Sequence, residues 1–136
     1  MIEPTLESLR TFIHLLAAAV WVGGQIVLSG LVPRVRKTNP EALKTIANGF
    51  ARVAWPAFAV TVVTGMWNIL DTDVSAMDTS YHVTLGVKIV LVMLAGFAAA
   101  AHANTKSKLV LALGGAIGLV ASLATLYLGV LLGTAS

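Results

Sequence analysis

Residues 11–33, TFIHLLAAAVWVGGQIVLSGLVP, run for 23 residues between Arg10 and Arg34 without a charged side chain. At about 1.5 Å of rise per residue, a helix of that length crosses the roughly 30 Å hydrocarbon layer of a bilayer. One ionisable group, His14, sits inside the run, followed by Trp21, Gly23 and Gly24. An imidazole in hydrocarbon is costly and usually faces a partner, a cofactor or a water-filled cavity, so His14 is the first candidate functional residue. The alternative is a hydrogen-bonded histidine that only joins two helices.

Working outward, the rest of the chain has the same character. Hydrophobic residues make up 57% and charged residues 11%, and the mean hydropathy is +0.88. The 136 residues hold about four spans of roughly 20 residues with short loops, so a single domain is expected over 1–136. The reading is an all-α integral membrane four-helix bundle, with spans at about 6–33, 50–70, 81–103 and 109–133. Pro33 with Arg34, Arg36 and Lys37 is expected to end the first span. Residues 41–47 read as a short interfacial turn, Pro56 as a kink in span two, and Thr79 or Ser80 as the cap of span three. In span four, Gly114-x-x-x-Gly118 and Gly129-x-x-x-Gly133 offer faces for close helix packing.

Charge sets the expected orientation. Arg34, Arg36, Lys37 and Lys44 flank the first connection, and Lys106 and Lys108 the third, whereas Asp71, Asp73 and Asp78 occupy the second. The positive-inside rule then places both termini outside. A net charge of +3 spread over membrane-flanking loops gives no basic stripe for nucleic acid, so none is expected as a partner. With no cysteine, disulfides, thiolate metal sites and covalent C-x-x-C-H haem are excluded. The acidic start, Met1-Ile2-Glu3-Pro4, lacks the basic region of a signal peptide, and the first span is expected to remain in the mature protein.

Depth can be compared along the spans. His14 and Lys88 each lie roughly 12 Å below the outer start of their helix, at one level, and both should avoid lipid. His14, Trp21, Gln25 and Leu28 share one stripe; Tyr81, Lys88, Ala95 and His102 share another. Span two runs the opposite way and brings Thr64, Gly65, Met66 and Trp67 near the level of His14. His82 stands about 120° round the helix from Lys88, and His102 lies roughly 21 Å deeper. Both of these histidines read more simply as interfacial residues.

The run from Phe12 to Gly24, with histidine, tryptophan seven residues on and paired glycines, resembles the opening helix of the bacterial copper-resistance D membrane family. The third-span segment Gly86-Val87-Lys88-Ile89-Val90-Leu91 is similar to that family's pattern as well. A related resemblance is to the four-helix membrane protoporphyrinogen oxidase group, through Tyr81-His82-Val83-Thr84-Leu85-Gly86-Val87-Lys88, Pro56 and Gly65-Met66-Trp67. The span-one ending and the absence of an aromatic-rich tail depart from the oxidases. The chain also lacks the additional spans of full-length copper-resistance proteins, so a transport route would need an oligomer or a partner.

Three functions follow. The copper-resistance resemblance implies copper handling in a bacterial inner or plasma membrane, with His14, Met66, Met77 or His82 as nitrogen and thioether ligands. The second is b-type haem binding, with His14 as axial ligand, Gly23 and Gly24 admitting the ring, Lys88 toward the propionates, and Trp21 and Trp67 in the same pocket. The third is a structural subunit of a homo-oligomer or larger membrane complex, in which His14 and Lys88 are buried contacts. Copper and haem b remain open at this point.

Overall fold

Among residues 1–135, which the computed structural model describes, every regular element is helical. The order is α1 (Leu6–Thr38), α2 (Leu43–Asp71), α3 (Thr79–Ala103) and α4 (Lys108–Thr134), with single 3-10 turns at Pro40–Ala42 and Val74–Ala76. All four helices are long and apolar enough to cross a membrane. Ser136, at the terminus expected outside, lies beyond the described residues.

Local chemistry explains the helix ends. Thr5 and Ser8 form a reciprocal capping box, in which the Ser8 N–H donates to Thr5 Oγ1 at 3.0 Å and the Thr5 N–H to Ser8 Oγ at 2.9 Å;. Pro33 does not end α1 as expected. A proline removes one backbone donor, and the helix continues past it to Thr38, where the Thr38 hydroxyl donates to Arg34 O and the Asn39 N–H to Val35 O;. Of the segment expected as a separate interfacial turn, Glu41 and Ala42 belong to the 3-10 turn and residues 43–47 open α2, which starts at Leu43. At α3 the cap is Asp78, not Thr79 or Ser80: its carboxylate accepts from the Tyr81 N–H at 2.9 Å. Ser107 caps α4 by accepting from Val110 N–H;.

The chain divides into two compact units, Met1–Thr72 and the residues from Asp73 onward. Each is a helical hairpin. In the first, α1 packs on α2; in the second, α3 packs on α4. The interfaces are built from small residues. Ala17, Ala54, Ala95, Ala98 and Ala121 are buried, while Phe12, Val63, Phe97, Val120 and Tyr127 all stand more than half exposed. That distribution suits helices solvated by lipid, where tight backbone approach replaces the hydrophobic effect as the source of association.

Gly114 shows how close that approach is. A Cβ there would sit 2.9 Å from Ala98 O and 3.1 Å from the His102 backbone nitrogen. The first small-residue motif of span four therefore packs, as expected, against α3. The second differs: Gly129 makes room for Lys88, whose Nζ lies 3.2 Å from the place of a Cβ, while open space surrounds that place at Gly133.

Candidate functional site

The first hairpin carries a layered polar and aromatic seam. Along α1, Arg10, His14, Ala17, Trp21 and Gln25 follow one another at spacings of three and four and so share a face. That face meets α2 in the antiparallel sense. From the N-terminal end of α1 onward, Arg10 faces Asp71 and Trp67, His14 faces Thr64 and Gly65, Trp21 faces Trp55 and Phe58, and Gly24 lies against the Phe50 ring.

His14 is fixed by Thr64. Its Nδ1 lies 2.7 Å from Thr64 Oγ1, and the same hydroxyl lies 2.7 Å from the carbonyl of Val60 one turn back. A threonine has a single hydroxyl proton, and the carbonyl can only accept, so the hydroxyl donates to Val60 O and accepts from the imidazole Nδ1–H. The neutral ring then carries its lone pair on Nε2. Gly65 lets α2 approach the ring closely, since a Cβ there would stand 3.4 Å from His14 Cε1. Thr64 is buried at 6% exposure, which keeps water from competing for the bond.

One turn toward the N-terminus, Arg10 is almost fully buried, and its Nη1 donates to Asp71 Oδ2 at 2.6 Å. Its guanidinium carbon lies 5.4 Å from the centre of the Trp67 ring, in cation–π range;. Asp71 is more than half exposed at the end of α2. Arg10 Nε is buried without a hydrogen-bond partner among the described residues. Two turns along α1 from His14, Trp21 packs on Phe58 at 4.6 Å and edge-on to Trp55 at 5.3 Å between ring centres, and Gln25 Nε2 donates to Trp21 O at 3.0 Å;.

Other candidates stand apart from this seam. Met66, two residues past Thr64, points round the helix from it and is 58% exposed;. His82 Nε2–H donates to the carbonyl of Val74 at 2.8 Å, closing the loop that precedes α3. Met77 lines a cavity of about 370 Å³ with Tyr81, Thr84 and Leu131 in the second hairpin. His102 Nδ1–H donates to Leu111 O at 2.6 Å, tying the end of α3 to the start of α4. Lys88, half-buried beside Gly129, makes no hydrogen bond or ion pair among the described residues. Among those residues there is also no group of three or more His, Cys, Asp or Glu side chains able to hold a metal ion.

Arg10, Asp71, Trp55 and Phe58 are the parts of the seam that sequence reading passes over. The signal for the first two is periodicity: Arg10 precedes His14 by four residues and Asp71 follows Thr64 by seven, which puts each on the facing stripe.

No protein-family model matches the chain, and no curated protein or solved structure does either. The class is therefore defined by the fold alone, a chain whose four helices are each long and apolar enough to cross a membrane.

Proposed function

We propose that the protein is a multi-pass membrane protein, both termini outside, that binds a b-type haem through His14 Nε2. The observation that carries this reading is the Nδ1–H···Thr64 bond. Metal-binding histidines donate their other ring nitrogen to a partner, which fixes the ring and strengthens the ligand. The donor set suits haem better than copper. A haem iron can be held by one protein imidazole, whereas a protein copper site would need thioether or further imidazole ligands around His14. Met66 is directed away from Thr64, and His82 is engaged by its own loop. The buried guanidinium one turn above His14, with an unsatisfied donor, supplies the positive charge that haem carboxylates require;.

In this reading Trp21, Trp55 and Phe58 close the apolar floor below the imidazole, and Trp67 flanks the cationic mouth. Lys88 belongs to the second hairpin, where its ammonium stands beside Gly129. Bound there, haem would supply one-electron chemistry, while the protein supplies ligation, orientation and exclusion of water.

The test is absorption spectroscopy with iron and copper analysis on the full chain purified in mild detergent and titrated with haemin. The expected result is a shifted Soret band at one iron per chain. His14→Ala should lose the shift, and Thr64→Val, which removes the acceptor of Nδ1–H, should weaken binding about ten- to hundredfold. Stoichiometric copper without a Soret band would replace this reading by the copper one, and neither metal would leave a structural subunit.

A further inference from the structure

Arg10 is bound on only one edge. Nη1 is taken by Asp71, yet Nε has no acceptor, and no hydrogen bond from Nη2 is formed among the described residues. Nε and Nη2 are the neighbouring donors that engage a carboxylate side-on with two parallel bonds. A buried N–H without an acceptor is unfavourable, so the arrangement is complete only when another acceptor arrives. None is offered around it among the described residues. Trp67 lies against the guanidinium and limits where it can turn. Asp71 neutralises the charge in the resting state while remaining more than half exposed, able to share or yield the arginine at the water boundary.

We propose that Arg10 is the receptor for a ligand carboxylate at the outer mouth of the His14 site. This rests on the haem reading of that site, and the ligand's propionate is the group received. The guanidinium turns on its stem so that the Nε–Nη2 edge takes the carboxylate, while Asp71 retains Nη1. Arg10 and His14 lie one helical turn apart on one face, about 6 Å along the axis, so a single ligand is held at two points. The planar fork, rather than charge alone, is what the site uses; a lysine ammonium cannot reproduce it.

The test compares haemin and iron-free mesoporphyrin, each as the free acid and as the dimethyl ester, by absorption and fluorescence titration of the detergent-solubilised full chain. Esterification should weaken binding to the unaltered protein about ten- to hundredfold, the range of a lost charged hydrogen-bond pair. Arg10→Gln should bind acid and ester alike, and Arg10→Lys should recover only part of the preference. The acid–ester comparison on the unaltered protein stands even if Arg10→Gln fails to fold. No preference for the acid, or a preference that survives Arg10→Gln, overturns the proposal. Because mesoporphyrin has no iron, its binding separates the two readings. An Arg10-dependent preference for its acid, with no His14-dependent haemin spectrum, keeps the carboxylate receptor and removes the haem ligand. Haemin bound through His14 without regard to Arg10 does the reverse, and no porphyrin bound at all removes both.

Discussion

Replacing Gly114 by Ala tests the close backbone approach of α3 and α4 against a control on the same helix face. A Cβ at Gly114 would lie 2.9 Å from Ala98 O and 3.1 Å from His102 N, both backbone atoms that no side-chain rotation can move aside. At Gly118, four residues on, the nearest atoms are 3.7 Å away, which is ordinary contact. Both substitutions gain the same helix propensity, about 0.8–1 kcal/mol, so that gain cancels when they are compared. What remains is the strain of separating α3 from α4 by a few tenths of an ångström, about 1–3 kcal/mol. Unfolding of the full chain by sodium dodecyl sulfate in mild-detergent micelles, followed by far-UV circular dichroism, should therefore rank Gly118→Ala at or above the unaltered protein and Gly114→Ala below it. Equal midpoints for the two variants would refute the claim that backbone approach at Gly114 sets the stability of the second hairpin.

Asp71→Asn should lower stability in the same assay by roughly 1–3 kcal/mol, because it replaces the carboxylate that pairs with a buried guanidinium by a neutral amide oxygen;; a double cycle with Arg10→Gln should return a coupling of at least about 0.5 kcal/mol. The chain has no cysteine, so single cysteines report topology without background. One at Ser75 should react with a membrane-impermeant thiol reagent from outside and one at Ser107 only after permeabilisation, and the opposite pattern would invert the orientation.

The helices and their small-residue faces are legible in the sequence because hydropathy and glycine spacing act locally. Depth is legible too: counting residues along antiparallel spans brings Thr64 and Gly65 to the level of His14, and the structure puts both against its ring. Azimuth is harder. Met66 shares that level but stands about 200° round α2 from Thr64, so a level alone made it look like a ligand. Arg10 was hidden by its position at the edge of the apolar run, where an arginine ordinarily extends toward headgroups; only the facing Asp71 and Trp67, distant in sequence, turn it inward. Pro33 misled for a different reason, since a proline inside a helix removes only its own bond back to the carbonyl of Ser29, and the residues after it bond onward to Thr38;.

The alanine-lined seam of the second hairpin reverses the usual map of mutational sensitivity. In a water-soluble domain the vulnerable sites are large apolar side chains, whose truncation leaves holes. Here Phe97 or Val120 can be shortened with little consequence, because lipid tails flow into the vacated volume, whereas adding bulk at Ala95, Ala98 or Ala121 has nowhere to go;. A saturation library of α3 and α4 would accordingly show its intolerant positions concentrated at their smallest residues, and substitution patterns alone would trace the seam between them.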